Sequence, residues 1–345
     1  MAKSIRDPEI TTAINQLLAL VDEDPGELKG ELIHQMINTA LRLSLDGAAV
    51  GERKLIANSF RELRYAHSVF REYQDVRKVS IFGSARTPSD NQDYRQTVDF
   101  SRRFANEDWM VITGAGPGIM QAGHEGAGRE KSFGVSIRLP FESGANEVIL
   151  DDPKLITFRY FFTRKLMFVS QADALGLFPG GYGTLDEAFE VLTLIQTGKS
   201  PVIPVVLLAP RGNDYWHQFD RYVREQLLAK GLISEEDLHL YHIFDDANSA
   251  ASHVFHFYRN YHSQRFVGDR MVFRIQQPLT DLQLDELNNE FSDLVEEGKY
   301  EQSSALEGED SFLDMPRLVF AFARSHYGRI RQLIDRVNEF ATYRK

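Results

Sequence analysis

Hydrophobic and polar positions follow two different periods along the chain. Up to about residue 77 the apolar residues recur every three or four positions, as in GELKGELIHQMINTALRLSL and RKLIANSFRELRYAHSVFREY. That spacing places the apolar side chains on one face of a helix, so it predicts a helical extension over residues 1–77. We expect the extension to pack on the main body of the protein or on a partner subunit.

From Lys78 onward, short β-branched runs alternate with amphipathic segments. Short buried strands that alternate with helices are typical of βαβ units and of a doubly wound parallel sheet. The pattern therefore predicts a Rossmann-like α/β domain over residues 78–262. Its strand candidates are KVSIFGS, WMVITGAG, FGVSIRL, EVIL, DALGLF and PVIPVVLL, with helices expected over 93–106, 118–128, 155–170 and 184–196.

Residues 263–345 have the pattern of a small α+β appendage. DRMVFRI and RLVFAFA are strand-like, and each is followed by a helical segment, whereas the polar loop SSALEGEDSFLDMP between the halves is expected to be mobile. Two strands are too few to form a stable sheet alone. We therefore expect the appendage to be buried on the α/β domain or on another subunit, and to serve assembly rather than chemistry.

Composition and charge narrow the class of protein. The 345 residues are 43% hydrophobic and 26% charged, which is ordinary for a globular chain with one main domain and additions. The net charge of -11 disfavours a protein that binds the backbone of nucleic acids. With no cysteine, the chain has no disulfide, thiolate nucleophile or cysteine-based metal site. The start of the chain lacks the apolar core of a signal peptide, and no apolar run reaches about 18 residues, so we expect a cytoplasmic protein without a membrane span.

Glycine-rich turns follow three of the predicted strands. They are FGSAR (82–86), TGAGPG (113–118) and FPGGYGT (178–184). Ligands of doubly wound sheets bind at the carboxyl ends of strands, and a helix N-terminus favours an anion, so these turns predict a phosphate cleft. TGAGPG lacks the G-x-G-x-x-G spacing and no acidic residue ends the next strand, which disfavours NAD. A tight turn that binds nothing remains an alternative for it, and the nearby His124 is expected to be an ordinary helix residue.

The segment after the third turn carries a carboxylate with two interpretations. Thr184 to Glu187 fits a T-x-x-E capping box, in which the glutamate only satisfies the start of a helix. Glu187 could instead act on a ligand held by the turn. Arg164 and Lys165, in FFTRKLMF, precede the strand that leads to this turn, so they can converge with Glu187 at one cleft. A basic pair that only snorkels from an apolar helix is the alternative.

These residues resemble a known family. Arg164, Lys165 and Met167, followed after a strand by PGGYGTLDE, are similar to the Lonely Guy family of nucleoside 5′-monophosphate phosphoribohydrolases, which carry an older lysine decarboxylase label. The resemblance runs from about Lys78 to Leu208, and the flanks look like those of longer bacterial relatives. One departure is RKLMF, where short members commonly have R-K-A-x-M. No pattern in the sequence points to a lysine that binds pyridoxal phosphate.

The resemblance implies hydrolysis of the N-glycosidic bond of AMP or of a cytokinin-type riboside monophosphate, giving the free base and ribose 5-phosphate. Arg164 and Glu187 would be the catalytic pair. Arg164 could hold either the ribose hydroxyls or Glu187 itself, and in the second case it would keep the carboxylate ionised near neutral pH. No metal or other cofactor is expected, and the family implies a homo-oligomer, a dimer or larger. A non-catalytic carrier of a nucleotide or pterin-type cofactor remains the alternative function. The substrate-binding residues implied are Gly83, Ser84, Gly114, Gly116, Lys165, Gly180, Gly181, Gly183 and Thr184.

Overall fold

The structure is a computed structural model that describes residues 8–139, 144–324 and 326–341. The chain divides into two compact units, with the boundary between Tyr65 and Ala66. The predicted division into three parts at residues 77 and 262 stays a prediction.

The first unit is helical, as its sequence pattern predicts. Its apolar faces are not fully covered, because Met36 is 47% exposed and Phe60 is 54% exposed. Both side chains line an apolar groove of about 630 Å³ between the second and third helices. The helices are α1 (Pro8–Ala19), α2 (Leu28–Leu45) and α3 (Val50–Arg71), the last of which continues into the second unit.

The second unit is built on a seven-stranded, entirely parallel sheet with helices on both faces, which confirms the predicted Rossmann-like α/β class. The strands are β1 (Lys78–Phe82), β2 (Met110–Thr113), β3 (Ser132–Ile137), β4 (Leu155–Phe158), β5 (Ala174–Leu177), β6 (Val205–Leu208) and β7 (Tyr241–Phe244). The helices are α4 (Gln92–Asn106), α5 (Ile119–Ala127), α6 (Phe161–Ser170), α7 (Tyr182–Gln196), α8 (Tyr215–Tyr222) and α9 (Ala247–Phe257).

The central strands read as continuous apolar runs because helices cover both faces of the sheet. Every residue of β1, β5 and β6 is buried, and Val79, Ile81 and Val206 are fully inaccessible to solvent. This core fixes the strand ends, and with them the turns that follow.

Strand order places a switch point beside β1. The order is β4-β3-β2-β1-β5-β6-β7, so the chain builds outward from β1 on one side and then returns to add β5 on the other. Loops that leave two adjacent strands in opposite directions open a crevice at their carboxyl ends, where ligands of such sheets bind. The turns after β1 and β5 flank this crevice, and the turn after β2 lies next to it.

One strand and part of one helix are assigned wrongly from the sequence. EVIL (147–150) forms a turn, in which the N–H of Ile149 and the N–H of Leu150 both bond to the carbonyl of Asn146. The strand next to β3 is β4, which lies inside the helix expected over 155–170, and α6 begins only at Phe161. Strand β7 adds a seventh member that the sequence pattern did not predict.

The appendage has a four-stranded antiparallel sheet, twice the predicted number of strands. The side chain of Asn338 accepts hydrogen bonds from the N–H groups of Asn260 and Tyr261, which ties the appendage to the end of α9. The loop expected to be mobile is anchored by Glu309, whose buried carboxylate pairs with Arg317. The elements are β8 (Tyr261–Val267), β9 (Arg270–Ile275), α10 (Asp281–Glu290), β10 (Val295–Ser303), β11 (Arg317–Phe322) and α11 (Tyr327–Glu339).

Candidate functional site

The three glycine-rich turns meet at Ser84, next to the crevice. The Ser84 N–H donates to the Pro179 carbonyl at 3.1 Å, and the Ser84 carbonyl accepts from the Ile119 N–H at 3.0 Å. Gly118 has φ +65, and a Cβ there would collide with the Ser84 carbonyl. The turns after β1, β2 and β5 therefore form one surface, as the sequence predicts. Gly83 packs beneath it against Ile119.

The third turn presents free backbone donors. Helix α7 begins at Tyr182 with Gly181 as its N-cap, and the N–H groups of Thr184 and Leu185 bond to the Gly181 carbonyl. The N–H groups of Tyr182 and Gly183 precede those bonds, so no carbonyl of the helix satisfies them. A Cβ on Gly181 or Gly183 would meet no described atom within 4 Å, which leaves room for a ligand in front of these donors.

Thr184 does not cap α7, because the helix starts two residues earlier than expected. Its side chain is buried and contacts the Cα side of Gly180, under the turn. The residue at the N-cap of α7 is Gly181, and no side-chain cap bond is made there. The capping-box interpretation of Glu187 is therefore wrong.

Tyr215, the first residue of α8, supports the same turn. Its hydroxyl donates to the Gly180 carbonyl at 2.6 Å, which ties the turn to α8. The sequence gives no sign of this role, because nothing in the local pattern around Tyr215 links it to a turn 35 residues away.

Glu187 is a buried carboxyl with an unsatisfied oxygen. It is 7% exposed, and its Oε2 has no hydrogen-bond partner within the described part of the chain. Burial raises its pKa to about 7, although the nearby charges of Lys165 and Arg164 lower it. Arg164 is expected to keep this group ionised near neutral pH, and its charge does favour the ionised form, but the loss of solvation outweighs that attraction, so the carboxyl is only partly ionised there. A carboxyl that titrates near neutral pH is suited to accept a proton in a reaction.

Lys165 of α6 forms ion pairs with two carboxylates of α7, one before and one after Glu187 in the sequence. Its Nζ lies 2.5 Å from Asp186 Oδ2 and 2.6 Å from Glu190 Oε2. Burial lowers the pKa of Lys165, but the hydrogen bonds to the two carboxylates raise it by more, so the group stays charged. In this arrangement Lys165 fixes α7, and its predicted contact with a substrate remains a prediction.

Arg164 lies against the second turn. Its Nε donates to the Val135 carbonyl at 2.8 Å, and its guanidinium carbon lies 5.0 Å from the centre of the Phe168 ring. A Cβ on Gly114 would stand 2.5 Å from an Arg164 guanidinium nitrogen. Gly116 lies beside the same turn, where a Cβ would press on Met120. The structure thus brings Arg164 to the second turn, while its charge also acts on Glu187.

The residues that the structure describes include neither a cluster of metal ligands nor a helix suited to cross a membrane. No group of three or more histidine, aspartate or glutamate side chains among them is arranged to hold a metal ion. None of the described helices combines the length and the hydropathy needed to cross a bilayer.

A comparison with known protein families identifies the family that this chain resembles. A family described as "Possible lysine decarboxylase" matches residues 118–254, which include the third turn and Glu187. This part of the chain is similar to the Lonely Guy family. The resemblance of PGGYGTLDE to that family is thereby confirmed.

Two curated relatives that match this segment are hydrolases by name. "Pyrimidine/purine nucleotide 5'-monophosphate nucleosidase" of Escherichia coli (strain K12) is 28% identical over 36% of this chain and 30% of its own length. "Probable cytokinin riboside 5'-monophosphate phosphoribohydrolase LOG4" of Oryza sativa subsp. japonica is 27% identical over 44% of this chain and 66% of its own length. The match spans less than a third of the bacterial relative.

Among solved structures, the molybdenum cofactor carrier protein of Chlamydomonas reinhardtii is 19% identical, with a TM-score of 0.36. That comparison covers 52% of this chain and 96% of the carrier.

Proposed function

We propose that this protein hydrolyses the N-glycosidic bond of a nucleoside 5′-monophosphate, with AMP or a cytokinin-type riboside monophosphate as substrate. Water adds to C1′ of the ribose, the C1′–N bond breaks with its electron pair going to the base, and the proton that the water loses is transferred to the base. The products are the free base and ribose 5-phosphate. The observation that carries the proposal is Glu187, a buried carboxyl with a free oxygen and a pKa near 7, placed one turn of helix beyond the glycine-rich turn.

Glu187 can serve this reaction in two ways. Cleavage of the glycosidic bond builds positive charge on C1′ and the ring oxygen, and an ionised carboxylate stabilises that charge. The free Oε2 can also accept a proton from the attacking water. The pKa near 7 leaves a large share of the carboxyl ionised at neutral pH, as a base at that pH requires.

The glycine-rich turns would hold the rest of the substrate. The unsatisfied N–H groups at the start of α7 suit the 5′-phosphate, because the helix dipole also favours negative charge there. Arg164 would contact the ribose hydroxyls, with Gly114 and Gly116 beside them. These contacts orient the sugar and contribute to rate by positioning.

The names of the curated relatives support this class of reaction, and the buried carboxyl supports catalysis over simple carriage. We extend the proposal to a cytoplasmic homo-oligomer. The preferred base depends on the shape of the pocket around it, so a panel of monophosphates belongs in the test.

The test is to incubate the purified protein with AMP, IMP, GMP, CMP and UMP and to separate free base from nucleotide by chromatography. We expect free base and ribose 5-phosphate in equal amounts from at least one of them. Tight binding of a monophosphate with no base released would contradict the proposal and favour the carrier function.

A further inference from the structure

His124 of α5 is fully buried directly behind the second glycine-rich turn. Its Nε2 lies 2.9 Å from Thr113 Oγ1 and 3.0 Å from the Phe133 carbonyl. Its Nδ1 lies 3.2 Å from Asn146 Oδ1. The ring therefore links α5 to the ends of β2 and β3 and to the turn that contains Asn146, and it is not the ordinary helix residue that the sequence suggests.

Asn146 carries this network to the backbone of the turn. Its Nδ2 lies 3.0 Å from the Ala115 carbonyl and 3.0 Å from the Gly116 carbonyl, and its own N–H donates to the Ala115 carbonyl at 2.8 Å. Ala115 has φ +64, a conformation that costs energy for a residue with a Cβ. The hydrogen bonds from Asn146 hold the turn in that conformation.

Counting hydrogens distinguishes the two neutral tautomers of the ring. If Nδ1–H donates to Asn146 Oδ1, both hydrogens of Asn146 Nδ2 are free for the two turn carbonyls, and Thr113 Oγ1–H donates to Nε2 while accepting from the Ala115 N–H at 3.0 Å. In the other tautomer Nε2–H donates to the Phe133 carbonyl, and Asn146 Nδ2 faces three acceptors with two hydrogens. In both tautomers His124 Nδ1 bonds to the Asn146 side chain, and burial lowers the pKa of His124, which keeps the ring neutral.

We propose that His124 is a positioning residue, which acts through Asn146 to hold the second turn in the shape that receives the ribose 5-phosphate part of the substrate. The proposal rests on the function proposed above, because it names what sets the geometry of that site. Its consequence reaches Arg164, since Gly114 of the same turn lies against the Arg164 guanidinium. If the backbone at Ala115 relaxed, both Gly114 and the Arg164 guanidinium would move.

The test measures binding of ribose 5-phosphate by calorimetry in four single variants of the full-length protein and in the double variant His124→Phe/Asn146→Ala. Asn146→Ala removes the two donors, Asn146→Asp keeps the shape without the amide N–H groups, and His124→Phe fills the space without the ring nitrogens. Asn338→Ala is the matched control, because Asn338 is another buried asparagine, and it holds backbone groups of the appendage.

We expect both Asn146 variants to raise the Kd by tenfold or more, and His124→Phe to raise it by a smaller factor. The double variant should bind no more weakly than Asn146→Ala alone, because the two residues act in series. Asn338→Ala should lower the Tm while the Kd stays within twofold of the original protein. If Asn146→Ala does not fold, the near-isosteric Asn146→Asp carries the same comparison.

An unchanged Kd in the Asn146 variants would overturn the proposal. So would a Kd in the double variant that rises by the product of the two single effects, or a rise in the Kd of Asn338→Ala as large as that of the Asn146 variants. Wild-type protein that binds no ribose 5-phosphate would overturn it too. Base release from AMP by the wild-type protein tests the proposed function separately. Binding without base release would end the hydrolase proposal but leave the positioning comparison intact.

Discussion

Gly114 and Arg164 are 50 residues apart in sequence, yet the Cα of one lies against the guanidinium of the other. A Cβ on Gly114 would stand 2.5 Å from Arg164 Nη2 and 2.6 Å from Met120 Sδ. Both atoms are the far ends of flexible side chains, so they can move without disturbing the backbone. The absence of a side chain at Gly114 therefore allows Arg164 to reach the turn.

Gly114→Ala should give a folded protein in which Arg164 is displaced. We expect base release from AMP to fall by roughly tenfold to a hundredfold, because a misplacement of about 1 Å costs that order in rate, with little change in Tm. The measurement is steady-state turnover beside a thermal melt. Gly51→Ala, on an open face of α3, is the control, and equal turnover in the two variants would show that the close approach is incidental.

Arg164→Lys keeps the charge but loses the planar fork of donors and the Nε bond to Val135. We expect turnover to fall strongly in the lysine variant. Arg102→Lys, on the exposed face of α4 beside Asp99, should leave turnover unchanged. Near-normal rates in Arg164→Lys would mean that only a general positive charge is needed there.

Glu187→Gln should abolish most of the turnover while strengthening the fold at high pH. In the folded protein the Glu187 pKa rises from its ordinary value of 4.5 to about 7, so the protonated form is favoured. Its contribution to stability is present below pH 4.5 and is lost as the pH rises through 7. Above that pH the buried charge costs roughly 3 kcal/mol, an amount that follows from about 1.4 kcal/mol per tenfold change in proton affinity.

The measurement is urea unfolding of both proteins at pH 4 and pH 8. The glutamine variant should be the more stable at pH 8, and the gap should close at pH 4. Normal turnover in the glutamine variant would show that Glu187 is not catalytic. A difference in unfolding free energy that is the same at pH 4 and pH 8 would show that the wild-type protein does not hold a buried, charged carboxylate at pH 8.

Tyr215→Phe should loosen the third turn without removing any group from the cleft. The lost hydrogen bond to the Gly180 carbonyl is worth about 1 kcal/mol, so we expect the KM for AMP to rise about fivefold with a smaller change in kcat. Tyr241→Phe loses a comparable bond to Asp220 at the outer strand of the sheet. If that control raises the KM as much as Tyr215→Phe, the effect is general loosening and not support of the turn.

Deletion of residues 264–345 should lower stability or the size of the assembly more than it changes nucleotide binding. The cut removes Asn338 and its bonds to Asn260 and Tyr261, and it exposes Phe257, which is now buried. The truncated chain should be sized by light scattering and titrated with AMP in the Glu187→Gln background. A folded truncation of unchanged size that no longer binds AMP would show that the appendage builds the site.

The sheet and the convergence of the three turns could be predicted because they depend on local signals. Glycines at strand ends and the change of apolar period from helix to strand are visible in any short window. Which apolar run becomes a strand is less local. EVIL and the segment of β4 look alike, and the choice depends on the bonds that Asn146 makes with the distant Ala115.

The chemical state of the site could not be predicted at all. The pKa of Glu187 depends on how deeply its side chain is buried. Whether its Oε2 has a hydrogen-bond partner depends on where the side chains of Arg164 and Lys165 lie. The sequence suggested that Arg164 would keep Glu187 ionised, whereas Lys165 turns to Asp186 and Glu190 and burial prevails. Tyr215 and His124 act on turns far away in sequence, and no window contains both partners.

The position of β1 has a consequence for the order of folding. Its two neighbours in the sheet come from very different distances, since Lys78 pairs with Met110 whereas Val79 pairs with Ala174, about 95 residues away. Loop closure over the longer span costs only about 1 kcal/mol more than over the shorter one, but parallel pairings between distant segments form slowly. The β5 side of β1 therefore stays open until late, as an apolar edge that other chains can meet. The Ser84–Pro179 bond can form only after that edge closes, so the cleft is among the last parts of the molecule to assemble.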